Sequence, residues 1–175
     1  MFSTILIILV VIIAAVLVYA ATRPNDFVTT RTAIIKAPAE TIFPLINDFS
    51  RWPEWSPYEK LDPNMKRALS GAPSGKGAAY AWEGNGKAGK GRMEIVNSVP
   101  SSQVALKLDF EKPFRANNSV DFTLTPSGDT TAVSWAMRGS RPFIAKLMGL
   151  FMNFDTLIGR DFEIGLANLK RNTEA

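Results

Sequence analysis

The sequence predicts an α+β fold in which a curved antiparallel sheet wraps around a long C-terminal helix, preceded by one N-terminal transmembrane helix. Three observations predict it. An apolar run opens the chain, several segments with alternating apolar and polar side chains follow in close succession, and apolar residues recur at helical spacing near the end. A short helix after the first strand would close one end of the sheet, so the order of elements is that of a helix-grip fold.

The first element is an apolar run over residues 2–21, in which only Ser3, Thr4 and Tyr19 are not fully apolar. About 20 such residues are enough to cross a hydrocarbon core. A cleaved signal peptide is the alternative, but no Lys or Arg precedes the run, and the run is longer than the usual signal-peptide core. The sequence therefore predicts a retained membrane anchor.

These boundaries divide the chain into three parts: an anchor over residues 1–23, a short tether over 24–27, and a folded domain over 28–175. The basic residues nearest the span all follow it, beginning with Arg23. The positive-inside tendency then places the folded domain in the cytoplasm, and the protein would be a single-pass membrane protein.

The folded domain begins with a β-branched strand over Val28–Ala37 and a short helix that opens at Pro38. The helix is followed by Trp52-Pro53-Glu54-Trp55-Ser56-Pro57, whose prolines disfavour both helix and strand. Two indoles in such a segment need apolar surroundings and a partner for each N–H group. Two interpretations stay open: a lid or wall over a cavity, and a loop that packs on the core.

The remaining strands are predicted from alternation, which is typical of an antiparallel sheet with one wet and one covered face. The predicted segments are Leu61–Ser70, Ala78–Glu83, Ala88–Val96, Val104–Phe110, Phe114–Leu124 and Thr130–Arg138. One long helix is then predicted over Pro142–Lys170, and its stretch 147–154 is apolar almost all round.

Composition excludes several kinds of chemistry. The chain has 175 residues with no cysteine and no histidine, which excludes disulfides, a thiol nucleophile, the common zinc sites and a Ser-His-Asp triad. The net charge of +4 is spread without long basic runs, so we expect no nucleic-acid partner. Alternation places Asp109 and Asp121 on the wet face and Glu83 opposite Trp82. We therefore expect no catalytic set, metal or cofactor.

Two smaller features have alternative interpretations. Gly84-x-Gly86-x-x-Gly89 is spelled like a dinucleotide fingerprint, but it lies between two strands, and Asn85-Gly86 predicts a hairpin turn instead. Asn118 is a polar residue on the apolar face of its strand. It would either orient a ligand or be a hydrogen-bonded core amide, and the second is the more common situation.

Several motifs are spread along the folded domain: Ile34-Ile35-Lys36-Ala37-Pro38, then Glu40 and Phe43, Asn47-Asp48-Phe49, Trp52–Pro57, Asp62-Pro63-Asn64-Met65, Tyr80–Gly84, Gly89-Lys90-Gly91, Leu147–Leu150 and Asp161–Leu169. Together, over residues 27–170, they resemble the START/Bet v 1-like (SRPBCC) superfamily, in its polyketide cyclase/dehydrase and lipid transport branch. The resemblance implies an elongated cavity between the sheet and the terminal helix, used in relatives for lipids, sterols, polyketides or other apolar molecules. It carries over no catalytic residue.

The expected cavity lining consists of aromatic residues, methionines and one amide. These are Trp52, Trp55, Tyr80, Trp82, Met93, Phe110, Phe114, Asn118, Trp135, Met148, Phe151 and Met152. The function expected from them is a membrane-anchored binding module for an apolar small molecule or lipid, in sensing, storage or transfer. The alternatives are a cyclase- or dehydratase-like enzyme and a protein-interaction scaffold with a collapsed pocket. The oligomeric state is left open.

Overall fold

In the computed structural model, which describes residues 2–174, seven strands follow one another in the predicted order, with four α-helices where the sequence predicts three. The helices are α1 (Phe2–Thr22), α2 (Ala39–Asn47), α3 (Phe143–Met148) and α4 (Phe154–Thr173). The strands are β1 (Asp26–Ile35), β2 (Lys66–Gly71), β3 (Ala78–Glu83), β4 (Lys90–Val99), β5 (Gln103–Lys112), β6 (Ala116–Ser127) and β7 (Thr130–Ser140). Two 3-10 turns, Phe49–Glu54 and Pro57–Lys60, connect α2 to β2.

The strands form one antiparallel sheet in the order β1-β7-β6-β5-β4-β3-β2. The first and last strands are neighbours, with Asp26 opposite Ser140 and Ile35 opposite Thr131. We call the end of the sheet where β1 begins, just after α1, the proximal end. The other, distal end is closed by α2.

The predicted alternation is confirmed on the central strands. Val104 and Leu106 of β5 and Phe122 of β6 are buried, whereas Lys107, which follows Leu106, and Thr123, which follows Phe122, are exposed. The apolar face is covered by α4, which packs mainly on β1. The sheet and the C-terminal helix therefore enclose one core, as the α+β helix-grip prediction requires.

Two glycines of α4 allow this close packing. A Cβ at Gly165 would lie 2.7 Å from Cζ3 of Trp135, and one at Gly159 would collide with the guanidinium of Arg31. That guanidinium in turn donates to Glu163 Oε1 at 2.8 Å and to Asp155 Oδ2 at 3.1 Å. Small residues at these positions thus seat the helix against the sheet and beside the arginine.

The prediction of one long terminal helix is wrong, because the helix is interrupted between α3 and α4. Gly149 caps α3, and the backbone then turns through residues 150–153. Asn153 begins α4 by accepting a hydrogen bond on Oδ1 from the backbone N–H of Thr156 at 3.1 Å. A side chain that satisfies a free helix N–H favours a new start at this point.

Two strand predictions also need correction. The segment predicted as Leu61–Ser70 forms a strand only from Lys66, since Asp62 accepts a backbone hydrogen bond from Asn64 and holds a turn. Phe114 was expected on the covered face of a strand. It lies in the β5–β6 turn instead and is 60 % exposed.

Helix α1 stands apart from this core. Its stretch Ser3–Thr22 has a mean hydropathy of 3.1 and is long and apolar enough to cross a membrane. A signal sequence near the N-terminus has the same length and apolar composition.

Candidate ligand-binding site

The middle of the covered face is filled by aromatic rings. The Trp55 ring lies 5.0 Å from Trp52, 5.8 Å from Phe122 and 5.5 Å from Trp135, measured between centroids. Both indoles of the Trp52–Pro57 segment are buried, and their Nε1 groups donate to the backbone oxygens of Ile46 and Leu45. This is the geometry of a loop that packs on the core.

The proximal half of the covered face is less completely filled. The side chains of Trp82, Leu108 and Phe110 are only half-buried there, although they point to the same side as the core residues. The Trp82 indole covers Gly91, where a Cβ would stand 2.5 Å from its Cη2 atom. Apolar side chains at this end therefore keep part of their surface free.

Cross-strand pairing brings several predicted residues into one row. Asn118 lies opposite Leu108, Leu108 opposite Met93, and Met93 opposite Tyr80. The next row towards the proximal end contains Phe110, Gly91 and Trp82. Neighbouring strands lie about 4.8 Å apart, so these side chains line a continuous apolar strip.

Asn118 is the polar exception in this strip. Its side chain is 8 % exposed, and within residues 2–174 its Oδ1 atom has no hydrogen-bond partner. The amide lies over Gly139, where any Cβ would collide with Oδ1. A buried acceptor without a partner costs about 1–3 kcal/mol, so the expectation of a fully hydrogen-bonded core amide is not met by this oxygen.

Glu59 is a buried acid that the sequence analysis missed. It is 8 % exposed; Oε1 accepts from the Tyr80 hydroxyl at 2.6 Å and Oε2 from Arg67 Nε at 2.6 Å. Burial first, and the bond to Glu59 second, raise the pKa of Tyr80. Each carboxylate oxygen already accepts a hydrogen bond, so Glu59 ties Tyr80 and Arg67 together at the edge of the strip.

A second titratable pair lies between the loop and α4. Burial raises the pKa of Tyr58, and the nearby charge of Asp161 adds to this effect. Burial also raises the pKa of Asp161, which lies on the turn of α4 that follows Ile158. Tyr58 contacts Trp135 edge-on with centroids 6.3 Å apart, so the pair borders the aromatic core.

The wet-face carboxylates behave as expected for surface groups. The hydrogen bond from Asn117 lowers the pKa of Asp109, and Lys107 adds to this. Asp121 accepts from Arg138 at 2.7 Å. Among residues 2–174, no three His, Cys, Asp or Glu side chains come together in a way that could hold a metal ion.

The predicted lining residues fall into three groups. Buried in the core or in the apolar strip are Trp52, Trp55, Tyr80, Met93, Asn118 and Trp135. Half-buried are Trp82 and Phe110. Exposed on the outside of the proximal end are Met148 (36 %), Met152 (44 %), Phe114 (60 %) and Phe151 (81 %). Met148, Phe151 and Met152 are exposed because the helix is interrupted between α3 and α4, and Phe114 is exposed because it lies in the β5–β6 turn.

Two open grooves lie elsewhere on the surface. One, of about 370 Å³, lies beside Phe49 between the first 3-10 turn and the start of β3. The other, of about 390 Å³, is lined by Arg23, Arg141 and residues 149–155. The second groove meets the exposed group of lining residues.

Residues 26–174 match the sequence profile of the family described as polyketide cyclase / dehydrase and lipid transport. The chain belongs to this family. Its members share a ligand-binding fold of the SRPBCC type, and the family suggests small hydrophobic ligands. A comparison with curated protein sequences finds no match.

Solved structures show the same fold at low identity. A Thermobifida fusca protein solved by NMR is 22 % identical, with a TM-score of 0.62 over 83 % of this chain and 92 % of its own. The Aha1 dimer from Colwellia psychrerythraea is 16 % identical, with a TM-score of 0.61 over 85 % and 96 %. Protein CV1439 from Chromobacterium violaceum is 14 % identical, with a TM-score of 0.57 over 87 % and 99 %.

Proposed function

We propose that this family member is a membrane-anchored module that binds an apolar small molecule or lipid on the proximal half of the covered sheet face, in sensing, storage or transfer. The observation that carries the proposal is the unpartnered Oδ1 of Asn118 within an apolar strip. Ligand sites are mostly apolar and contain a few polar groups that orient the ligand. A ligand with one hydroxyl or N–H group would satisfy this oxygen once the Asn118 amide turns away from Gly139, and it would cover Leu108 and Phe110.

The energetic argument favours a mostly apolar ligand. Covering apolar surface contributes about 25 cal/mol per Å² before the costs of ordering the ligand. One hydrogen bond to Asn118 would add about 1 kcal/mol and would orient the molecule. Glu59 and Arg67 already neutralise each other at the edge of the strip, so no free charge there calls for a charged ligand.

The membrane anchor is the second part of the proposal. Ser3–Thr22 would cross the bilayer, with Arg23 at its end and the domain on the cytoplasmic side. Apolar molecules concentrate in bilayers, and tethering a binding site beside one raises the effective concentration of such ligands. The membrane anchor and the apolar site therefore both support the binding of apolar molecules from the bilayer.

Binding of N-phenyl-1-naphthylamine, an apolar probe with one N–H donor, tests the ligand site. The full-length chain in lipid nanodiscs is titrated with the probe, and tryptophan-sensitised probe emission is followed. Leu108→Asp should weaken binding at least about tenfold, because a charge would enter the strip. Its matched control is Lys107→Asp, the adjacent residue of β5 on the exposed face.

Two further variants show whether weaker binding by Leu108→Asp results only from loss of the fold. Leu108→Trp keeps the site apolar but fills it, and Asn118→Leu removes only the acceptor; each should weaken binding about three- to tenfold. Circular dichroism verifies that the variants fold. Equal affinities for the Leu108 and Lys107 variants, with Asn118→Leu unchanged, would contradict a site on this strip.

A further inference from the structure

The proximal end of the domain carries an unusual set of exposed side chains. Phe151 is 81 % and Phe114 60 % exposed, and Ile144, Phe143 and Met152 are 49 %, 47 % and 44 % exposed. A cluster of exposed large apolar residues marks an interaction site or a membrane contact. We call Phe114, Arg115 and residues 141–152 the proximal rim.

The topology collects these segments at one end. Strand β1 begins there and pairs with the end of β7, so Arg141 directly follows the Asp26–Ser140 pair. Strand β6 begins beside the same end, since Asn118 lies opposite Gly139. The β5–β6 turn with Phe114 and Arg115 is therefore one strand away from Arg141.

The rim is attached to the end of α1. The backbone N–H of Arg141 donates to the Asn25 backbone oxygen at 2.5 Å, and Lys146 Nζ donates to Asn25 Oδ1 at 2.5 Å. Helix α3 also packs along α1, and Ala20 near the end of α1 is fully buried. These contacts hold α3 beside the apolar helix α1, while the apolar residues Phe143 and Ile144 of α3 stay exposed.

The short connection between α1 and β1 cannot let the rim move far from α1. Helix α1 ends at Thr22 and β1 begins at Asp26. The residues between them, Arg23, Pro24 and Asn25, span at most about 10 Å even when fully extended. The rim therefore lies in the same environment as the C-terminal end of α1.

The charges of the rim suit phosphate groups. Arg23 and Arg141 line the groove of about 390 Å³ together with residues 149–155. Across residues 2–174, neither these arginines nor Arg115 forms an ion pair. The acids nearby are engaged: Asp155 is bound by Arg31, and Glu83 and Glu111 by Lys90. Asp26, at the start of β1, is a further acid at this end of the sheet, and Asp62 there accepts from the backbone N–H of Asn85.

We propose that the proximal rim is a second membrane contact, which seats on the bilayer that α1 spans. Phe114 and Phe151 enter the acyl boundary, and Arg23, Arg115 and Arg141 bind phosphates of anionic phospholipids. This inference rests on the proposed membrane anchor. It adds that the apolar strip, which opens at the same end through Trp82 and Phe110, faces the lipid and not the aqueous phase.

The absence of native cysteine allows a direct test by depth measurement. Single-cysteine variants Phe114→Cys and Phe151→Cys of the full-length chain are labelled with an environment-sensitive fluorophore and reconstituted into vesicles with lipid-attached quenchers. Ser127→Cys, exposed at the distal β6–β7 end, is the matched control. Leu6→Cys within α1 reports separately on the anchor.

The proposal expects strong quenching at Leu6 and quenching at Phe114 and Phe151 at least about twofold above that at Ser127. Quenching at Leu6 with rim positions equal to Ser127 would overturn the second contact and leave the anchor intact. Quenching at the rim but not at Leu6 would overturn the spanning helix and support the contact. No quenching at any position would overturn both.

A charge test identifies the headgroup. Quenching at Phe151 should increase when phosphatidylglycerol is added to phosphatidylcholine vesicles, and the combined variant Arg23→Gln, Arg115→Gln and Arg141→Gln should abolish this increase. Each arginine near an anionic surface changes partitioning about fivefold at moderate salt. Free inorganic phosphate should leave quenching unchanged; if it releases the rim, the groove binds phosphate and not lipid.

Discussion

The indole of Trp135 stacks on the phenyl ring of Phe162, with centroids 4.1 Å apart and planes inclined by 9°. Trp135 belongs to β7 and Phe162 to α4, so this pair joins the C-terminal helix to the centre of the sheet. Both side chains are almost fully buried, and Trp135 also contacts Trp55 and Phe122. The stack connects the three parts of the core: sheet, loop and helix.

Removing this stack should destabilise the domain strongly. Phe162→Ala is expected to lower the free energy of unfolding by about 3–5 kcal/mol, because a buried aromatic side chain is replaced by a cavity. Ile164→Ala is the matched control on the same helix, since Ile164 is 44 % exposed and should cost below about 1 kcal/mol. Thermal unfolding of the full chain in mild detergent measures both, and similar losses would argue against α4 as a core element.

The two glycines of α4 should respond differently to alanine. Helix propensity alone favours Gly→Ala by about 1 kcal/mol. At Gly165 a Cβ would press on the Trp135 ring at 2.7 Å and on Pro57 at 3.2 Å, so Gly165→Ala should destabilise by about 1–3 kcal/mol. At Gly159 the obstacle is the flexible Arg31 side chain, which can move.

Gly159→Ala should therefore stay close to wild type in thermal unfolding. The displaced Arg31 loses its bonds to Asp155 and Glu163, and the gain in helix propensity of about 1 kcal/mol offsets this loss. A Gly165→Ala variant as stable as Gly159→Ala would show that α4 lies too far from the sheet for a Cβ at residue 165 to press on Trp135.

Asp161 and Asp155 predict opposite dependences of stability on pH. Burial raises the pKa of Asp161 in the folded state above its usual 3.8. Its contribution to stability is then full below about pH 3.8 and is lost as the pH rises through the folded value. Asp161→Asn should consequently raise the melting temperature at pH 7 by about 1–3 °C and leave it unchanged near pH 3.

For Asp155 the sign reverses, because the Arg31 hydrogen bond lowers its pKa in the folded state. The stabilisation is present above the unfolded value and disappears as the pH falls through the folded one. Asp155→Asn should thus lower the melting temperature at pH 7, and the difference should shrink towards low pH. If both variants changed the melting temperature at neutral pH in the same direction, the pKa shift of one of the two carboxyl groups would be wrong.

The sequence predicted the sheet, the helix-grip order and the buried aromatic residues, because alternation and helical spacing are local properties. It did not predict the break after Gly149, since an apolar stretch continues through residues 150–152 and looks like one buried helix. Phe114 was misplaced for a related reason: alternation extends formally into the turn after Pro113. In both cases apolar residues that a core would bury are exposed at the proximal end.

The candidate site was harder to predict than the fold, because its polar groups depend on distant segments. The position of the Asn118 Oδ1 atom depends on Gly139 in the next strand, because a Cβ there would collide with this oxygen. Glu59 looks like a surface residue in sequence. It becomes buried only because Arg67 of β2 and Tyr80 of β3 satisfy both of its oxygens. No spacing rule connects residues from a turn and two strands in this way.

This three-residue cluster gives the last prediction. The Glu59 side chain is 4 % exposed and that of Arg67 33 % exposed, so the pair lies at the edge of the interior. Glu59→Ala would leave the Tyr80 hydroxyl unpartnered, while Arg67 could regain water. We expect a loss of about 1–3 kcal/mol, below the usual cost of breaking a fully buried pair. Glu94→Ala, which breaks the exposed pair with Arg92, should cost below about 1 kcal/mol.

A double-mutant cycle separates the contribution of the Tyr80 bond from general damage. Tyr80→Phe alone should cost about 1 kcal/mol, because it removes one hydroxyl donor and keeps the ring. In the Glu59→Ala background the same substitution should cost nothing or stabilise slightly, since the hydroxyl no longer has a partner to lose. Chemical denaturation of the four proteins measures the coupling; strictly additive losses would mean that the 2.6 Å contact between Tyr80 and Glu59 contributes nothing to stability.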